Sequence, residues 1–173
     1  MKKNWYAVHT KAQCERKAAL FLSKKRIQCF CPLNNIVIRS GNRKKILQEP
    51  LFPSFVFVFI SESELPIVKQ ANDVINFIYW LGKPAVIKAS EVENINLFVN
   101  SYYDIKLEKT AVNPNGMVHI INENDNLLNH TGISPAITRV RASLPSLGFV
   151  MHAAANNEII EASKYDVVTN VMI

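Results

Sequence analysis

Histidine, cysteine and carboxylate side chains supply most enzymatic and metal-binding chemistry, and in this sequence they are scattered. The C-F-C spacing lacks the paired spacing and the histidine partners of a zinc site. The sequence has no nucleophile motif or phosphate-binding glycine loop, and its acidic residues form no recognisable pair. We therefore predict a protein that is not an enzyme, needs no metal or cofactor, and keeps its cysteines as buried reduced thiols. The residues considered are His9, Cys14, Cys29, Cys31, His119, His130 and His152.

Basic side chains are concentrated in the first third of the chain. Residues 1–60 hold twelve Lys and Arg against Glu15 and Glu49, a net charge of +10, whereas residues 61–173 hold eight against twelve acidic residues, a net charge of −4. Such an excess favours a polyanionic neighbour, most simply nucleic acid, but a charge run is also typical of a solvated face. The charge distribution alone leaves both interpretations open.

The stretch QEPLFPSFVFVFI, residues 48–60, carries four phenylalanines, two valines and two prolines. In a strand, Phe55, Phe57 and Phe59 lie on one face while Val56 and Val58 lie on the other, so both faces are apolar. Such a strand needs cover on each side, because an apolar face left in water forfeits its burial free energy. The aromatic side is therefore either core or a docking surface.

The composition is that of an ordinary globular protein. The chain has 173 residues, of which 49% are apolar and 20% are charged, and this length allows one domain or two small ones. No apolar run approaches the roughly 18 residues of a membrane helix, and the N-terminus lacks the pattern of a signal peptide. We expect a cytoplasmic monomer that does not contact membranes.

Apolar periodicity predicts a series of short elements in the first 103 residues. The last helix starts with S-E-V-E, which matches a capping box in which Glu93 lies three residues after Ser90. The predicted elements are a strand at 5–10, a helix at 13–26, a strand at 29–39 interrupted by Pro32, a basic hairpin turn at 40–45, strands at 54–60 and 74–81, and helices at 61–71 and 90–103.

This order predicts an α+β fold close to the split β-α-β pattern, with the helices covering one face of an antiparallel sheet. The first domain spans residues 1–103. Residues 104–115 lose periodicity and end in a turn-like N-P-N, which predicts a linker. Residues 116–173 contain several short strand-like segments, enough for a small β-barrel.

Three segments carry a resemblance to a known family: WYAVHTKAQCER, GNRKKILQEPLFPSFVFV and VINFIYWLGKPAVI, in this order within residues 4–103. Together they resemble the N-terminal (NGN) domain of NusG-type transcription elongation factors. EPLFP followed by alternating aromatics is most similar to the RfaH-like and UpxY-like antiterminators of that family. Residues after Gly116 resemble its KOW domain, although NENDNLLNHTG carries only Gly132 where a KOW segment has several glycines. The resemblance implies a ferredoxin-like NGN domain followed by a divergent SH3-like barrel.

The resemblance also implies a docking site for the clamp of the largest subunit of bacterial RNA polymerase. By position, Phe55 and Phe57 match clamp-facing aromatics of the strand, Phe77 matches a third, and Phe52 borders the patch. A contiguous exposed apolar patch marks an interface, and aromatic residues supply much of the binding energy at interfaces. The alternative, that these phenylalanines are core residues beneath the helices, stays open.

Nucleic-acid contacts are implied on the basic side of the same domain. In the family, the start of the first helix and the hairpin loop approach upstream DNA and the non-template strand, so phosphate contact is expected there. The helix carries Leu20 and Phe21 where a sequence-reading relative has polar groups, so phosphate contact is better supported than base readout. The candidate residues are Lys11, Arg16 and Lys17 around the N-terminal end of the first helix and Arg43, Lys44 and Lys45 on the hairpin.

The resulting hypothesis is a transcription elongation and antitermination factor that binds the polymerase clamp and suppresses pausing and termination, on selected long operons. Its C-terminal domain is expected to recruit a ribosomal protein or a termination factor. The alternative is a KOW-containing RNA-binding or ribosome-associated protein. Strong salt dependence of binding would favour the RNA alternative, because phosphate contacts release counterions and an apolar patch does not.

Overall fold

The computed structural model describes residues 2–41, 43–112, 118–120 and 139–155, with side chains for all of these except 111–112 and 118–120. The described part of the chain combines three α-helices with antiparallel sheets, which confirms the α+β class. The strands are β1 (Asn4–Thr10), β2 (Gln28–Phe30), β3 (Leu33–Ser40), β4 (Arg43–Pro50), β5 (Phe55–Ile60), β6 (Val74–Phe77), β7 (Tyr79–Trp80), β8 (Lys83–Pro84), β9 (Val86–Ile87), β10 (Lys106–Val112), β11 (Val118–Ile120), β12 (Arg139–Leu144) and β13 (Phe149–Ala154). The helices are α1 (Glu15–Lys24), α2 (Leu65–Lys69) and α3 (Ala89–Ser101), and a 3-10 turn at Glu62–Glu64 precedes α2.

The main sheet has the order β2-β5-β1-β6, and β9 also pairs with β1. All pairs in this sheet are antiparallel. Strand β5 lies between β1 and β2, as the split β-α-β pattern predicts. The register pairs Ala7 with Phe57 and Val8 with Val56. Because side chains alternate along a strand, this register divides the apolar residues of β1 and β5 between two faces.

The two faces of the main sheet carry separate apolar clusters. On the aromatic face, named for Trp5, Phe55, Phe57 and Phe59, the sheet packs against α3. On the opposite face, which we call the helix face, Val56 and Val58 pack against α1 and α2. The prediction that all helices cover one face is therefore wrong for α3. The reason is that both faces of β5 are apolar, so one layer of helices leaves the other face in water.

Helix α1 follows the periodicity expected from the sequence. Ala18, Ala19 and Leu22 are buried against the helix face, and Lys24 lies in the last turn, where a cation complements the helix dipole. Arg26, just past the helix, has a φ of 61°. This left-handed residue turns the chain into β2.

The prediction of a capping box at Ser90 is wrong. Helix α3 begins at Ala89 with Lys88 at the N-cap, so Ser90 already lies inside the first turn. A reciprocal cap forms instead at the 3-10 turn, where the Ser61 backbone N–H donates to Glu64 Oε2 at 2.8 Å. The chain enters α3 directly from β9, and this connection fixes where the helix starts.

Strands β3 and β4 form a two-stranded ribbon separate from the main sheet, with eight residues in each strand. At about 3.3 Å per residue, the ribbon is about 26 Å long. Gly41, at φ 59°, lies at its turn, as the sequence predicts for a hairpin. Arg43, Lys44 and Lys45 follow the turn at the far end of the ribbon.

The C-terminal region contributes a sheet of order β11-β10-β13-β12. Strand β10 falls within the segment predicted as a linker. Residues 121–138 and 156–173 lie outside the described part of the chain, so the predicted barrel and the domain boundaries at 103 and 116 stay predictions. No helix in the described residues is long and apolar enough to cross a membrane.

His152 on β13 gives this C-terminal sheet an expected pH dependence. Burial lowers the pKa of His152 and outweighs the attraction of Glu108, whose Oε1 lies 3.4 Å from Nε2; Arg139, Arg141 and Lys106 lower the pKa further. An unfolded histidine has a pKa of about 6.5, so the unfolded chain binds the extra proton first as pH falls. The contribution of His152 to the free energy of unfolding is therefore fully present above about pH 6.5 and is lost as the pH falls below it. For one proton, the free energy of unfolding changes by at most about 1.4 kcal/mol per pH unit.

We expect His152→Asn to flatten this pH dependence between pH 7.5 and 5, measured by thermal or denaturant unfolding. The wild-type chain, unfolded in the same series of buffers, is the reference. An unchanged slope in His152→Asn would assign the proton uptake to another group.

Candidate functional site

The aromatic face is built from edge-to-face and tilted ring contacts. The rings of Trp5 and Phe59 lie 5.3 Å apart, and those of His9 and Phe55 lie 5.5 Å apart. Phe52, in the turn before β5, packs perpendicular to Phe57 at 5.4 Å. Phe57 is 0% exposed, whereas Phe55 and Phe59 are half-buried. The Phe52–Phe57 pair has the edge-to-face geometry that aromatic pairs prefer, and together the contacts make one continuous apolar surface.

The C-terminal strands cover part of this face. Phe149 on β13 approaches Phe52 edge-on at 5.9 Å. Leu144, Met151 and Ala153 belong to the same apolar cluster and are buried with it. Phe52 and Phe57 are therefore closed off by residues from the far end of the chain as well as by α3.

A polar contact fastens this cover to α3. Glu91, in the first turn of the helix, is buried, and its carboxylate accepts hydrogen bonds from Ser146. The Ser146 backbone N–H donates to Oε2 at 3.1 Å, and the Ser146 hydroxyl donates to Oε1 at 2.7 Å. Hydrogen bonds to a carboxylate are stronger than neutral ones, so this contact holds the turn between β12 and β13 in place.

The chain between α3 and β10 is also tied down. Asn34 on β3 makes a reciprocal pair with Ile105: its Nδ2 donates to the Ile105 carbonyl at 2.8 Å, and the Ile105 N–H donates to its Oδ1 at 3.0 Å. The Asp104 N–H donates to the Asn35 carbonyl at 2.9 Å, and Asp104 Oδ1 accepts from the Val37 N–H at 2.9 Å. The start of the C-terminal region is thus held against the ribbon.

Phe77 lies on the opposite side of the sheet from Phe55 and Phe57. It pairs with Val8, which faces α1, and its ring meets Tyr6 at 6.1 Å in the cluster of the helix face. The aromatic residues predicted to form one clamp-facing patch are therefore divided, with Phe52, Phe55 and Phe57 together and Phe77 apart.

Basic residues surround the N-terminal end of α1: Lys11 precedes the helix, and Arg16 and Lys17 lie in its first turn. Lys11, Arg16 and Lys17 are exposed, and Lys17 Nζ lies 3.2 Å from the carboxylate of Asp73. Glu15 turns inward instead: it is buried and accepts a hydrogen bond from the Ser54 N–H at 2.6 Å. The acidic member of this turn is used to fix the helix against the start of β5, which leaves the cations on the surface.

A shallow cavity of about 260 Å³ lies beside this helix. Its lining combines apolar Leu20 and Phe21 with the cations Lys17 and Lys24 and with Asp73. Phe21 also lies below Lys25, whose Nζ is 5.7 Å from the ring centroid. An apolar floor with a basic rim suits a stacked base beside phosphates.

The second basic group is on the ribbon. Arg43, Lys44 and Lys45 are exposed, and in the strand register Lys44 lies opposite Arg39, another cation. None of these three ribbon cations takes part in an ion pair among the described residues. The predicted nucleic-acid residues thus fall into two groups, one on the main domain and one on a protruding ribbon.

Cys29 and Cys31 do not supply a nucleophile. Burial raises the pKa of Cys29 to about 11, and burial followed by the charge of Glu15 raises the pKa of Cys31 to about 12. Both side chains are therefore protonated thiols at neutral pH, and the thiolate is the reactive form. The Cys29 thiol donates to the Ala19 carbonyl at 3.2 Å, as a structural residue would.

Comparisons with known proteins agree with this architecture. The family model "Transcription termination factor nusG" matches residues 3–96. The "Transcription termination/antitermination protein NusG" of Thermus thermophilus is 28% identical over 108 residues, covering 53% of this chain and 59% of that protein. The chain thus aligns with about three-fifths of the length of this relative.

A solved structure, "Domain interaction in Thermotoga maritima NusG", aligns over 89% of this chain and 93% of that chain, with a TM-score of 0.50 and 20% identity. At that identity the likeness concerns the fold alone. NusG-family transcription factors are non-enzymatic, which agrees with the prediction that this chain is not an enzyme. Because the family model matches more than half of the chain, the protein belongs to the NusG family.

Proposed function

We propose that this protein is a transcription elongation and antitermination factor that binds bacterial RNA polymerase through its aromatic face. The family and the name of the Thermus relative support a role in termination or antitermination. One observation supports this site most directly. Phe55 is a half-buried aromatic residue on a face that is covered in part by the C-terminal strands β12 and β13 and in part by α3. By binding the closed clamp more tightly than the open one, the factor suppresses pausing. Each tenfold preference for the closed clamp shifts the free energy between the two clamp states by about 1.4 kcal/mol.

The selected targets belong to the same proposal. The EPLFP segment and the alternating aromatics that follow it resemble the RfaH-like and UpxY-like members, which supports action on particular long operons. The predicted ribosomal or termination-factor partner of the C-terminal domain also stays a proposal.

Docking on the polymerase requires the cover to leave the aromatic face. Phe149, Leu144 and Met151 occupy the surface that a clamp helix would contact. The binding-competent state is then an open state, and the apparent Kd equals the intrinsic Kd divided by the open fraction. Interaction between domains is also the subject of the Thermotoga NusG structure. The covered arrangement lowers affinity until polymerase or another ligand stabilises the open state.

The two basic groups are proposed to hold nucleic acid beside the docked polymerase. Lys17 and Lys24 line the cavity next to Phe21, and this arrangement suits a single strand; Lys11 and Arg16 are exposed near the start of the same helix. The ribbon cations Arg43, Lys44 and Lys45 suit a phosphate backbone further away. Phe77 is left out of the docking surface, because it packs on the helix face.

Phe55→Ser tests the docking surface with less risk to folding than a change at Phe57, since truncating a fully buried phenylalanine costs about 3–5 kcal/mol. We expect Phe55→Ser to weaken binding to purified bacterial RNA polymerase at least tenfold, measured by biolayer interferometry, and to reduce read-through of a terminator in single-round transcription. Phe21→Ser, on an exposed phenylalanine of α1, is the matched control and should bind core polymerase like the wild type.

Equal polymerase binding by wild type and Phe55→Ser, with both folded by circular dichroism, would contradict the docking site. Absence of polymerase binding together with salt-sensitive binding to structured RNA would favour the RNA-binding alternative.

Glu91→Gln should increase the apparent affinity for polymerase. The substitution keeps the size of the side chain but replaces the carboxylate that accepts two hydrogen bonds from Ser146 with a neutral amide. Charge-assisted hydrogen bonds contribute about 1.5–3 kcal/mol, so partial loss raises the open fraction and tightens binding by about tenfold. Glu93→Gln, exposed on the same helix, is the control and should leave affinity unchanged. Weaker binding by Glu91→Gln would show that the covered form is the one that docks.

Arg16→Glu should weaken the complex only when nucleic acid is present. Removing one phosphate contact lowers affinity for a polymerase–DNA scaffold with an exposed non-template strand, and it reduces the slope of log K against log salt by about one. Lys69→Glu, an exposed cation of α2, changes the net charge equally and serves as the control. The same loss in both variants would indicate a general charge effect rather than a site.

A further inference from the structure

The hairpin formed by β7 and β8 projects from the edge of the main sheet and exposes apolar side chains. Its base is held where the Ile78 N–H donates to the Ala7 carbonyl at 2.9 Å and the Ala85 N–H donates to the Ile78 carbonyl at 2.8 Å. Beyond this base, Trp80 is 73% exposed and Leu81 is 89% exposed. A tryptophan and a leucine at these exposures contribute little to the core, so the fold itself gives no reason for them.

The turn of the hairpin is strained by its own sequence. Leu81 has a φ of 49° and Gly82 a φ of 76°, so both central residues of the turn are left-handed. Such turns favour Asn-Gly or Asp-Gly, because a leucine pays a steric cost at positive φ. The strain places an apolar side chain at the tip of the projection, where only an external partner can bury it.

The composition of the hairpin indicates a protein partner. Its exposed side chains are mostly apolar, and the aliphatic side chain of Leu81 at its tip cannot stack on bases as an aromatic one does. Residues 74–90 contain Lys83 and Lys88 and no acidic residue. A symmetric contact between two copies of this segment would bring together the lysines of both copies with no acidic residue of the segment to pair with them, which disfavours self-association. An apolar surface with an acidic rim on another protein is complementary to both features.

The hairpin is continuous with the aromatic face. Strand β9 follows it directly, and there Ile87 pairs with Trp5 and joins the apolar cluster of that face. Trp5 in turn contacts Phe59. The hairpin therefore projects at the rim of the surface that we assign to polymerase, yet it stays exposed while Phe52 and Phe57 are covered.

We infer that the β7–β8 hairpin is the part of the polymerase-binding surface that engages first, before the C-terminal strands leave the aromatic face. This inference rests on the proposed function. Contact through Trp80 and Leu81 holds polymerase beside the covered face, and docking of Phe55 and Phe57 then stabilises the open state.

The kinetics of the full-length chain with purified core RNA polymerase separate the two steps. We expect a Trp80→Ser, Leu81→Ser double variant to associate about tenfold more slowly. Phe55→Ser should associate at the wild-type rate and dissociate faster. An Ile67→Ser variant removes an exposed apolar side chain of α2, to which we assign no binding role, and should match the wild type in both rates.

Three outcomes would overturn the inference. Unchanged rates for the hairpin variant, alongside weakened binding by Phe55→Ser, would exclude the hairpin and leave the proposed function intact. Faster dissociation at an unchanged association rate would place the hairpin contact after opening. Concentration-dependent dimerisation that the hairpin variant abolishes, seen by sedimentation, would assign the hairpin to a second copy. A wild-type chain that does not bind polymerase would instead remove the proposed function.

Discussion

Strand β5 has apolar side chains on both faces, and the rest of the structure is arranged around excluding water from both. Helices α1 and α2 cover Val56 and Val58. The aromatic face needs a second layer, which α3 supplies only in part, and the remainder comes from β12 and β13. Burial of one large apolar side chain stabilises the folded state by about 1.5–3 kcal/mol. The completed layer buries several such side chains, and their contributions add.

This requirement links stability to function. A surface that is rich in aromatic residues binds a partner well, but it costs free energy when left exposed. Covering it with strands from the same chain satisfies the apolar groups without filling the site permanently, because the cover is held by separable contacts: the Phe52–Phe149 ring pair and the Glu91–Ser146 hydrogen bonds. In the proposed function, polymerase must compete with these contacts, so its affinity for the whole chain depends on the strength of the cover.

Local patterns in the sequence predict much of the fold but little of this arrangement. Alternation places Phe57 and Val56 on opposite faces, and helical spacing locates α1, because both depend on neighbouring residues. The face of Phe77 depends on its pairing with Val8, next to a register shift at His9 and Thr10, and that long-range register is not visible in a local pattern. Similarly, the S-E-V-E motif predicts a helix start, but it does not show that the Glu91 carboxylate accepts a hydrogen bond from Ser146, which lies 55 residues further along the chain.

The candidate site was accessible to sequence reasoning only through residue types and the family resemblance. Phenylalanines and lysines are typical of interfaces and polyanion contacts, but Phe55 and Arg16 are named as candidates only by their positions in the resemblance to the family. Glu15 is not identifiable, because nothing in its neighbours indicates that its carboxylate meets the Ser54 N–H across the fold. The exposed Trp80 is equally hidden, since an aromatic in an apolar run predicts burial until the hairpin geometry is known.

The central claim is that the C-terminal strands cover the aromatic face in the free protein and leave it on polymerase. The most direct measurement is the distance between spin labels at Glu93 on α3 and Arg141 on β12, both exposed, in a chain whose native cysteines are replaced by alanine. Double electron–electron resonance should give one short, narrow distance in the free protein and a longer, broader one in the polymerase complex. The short distance persisting in the complex would contradict the account, because polymerase would then bind without opening the face.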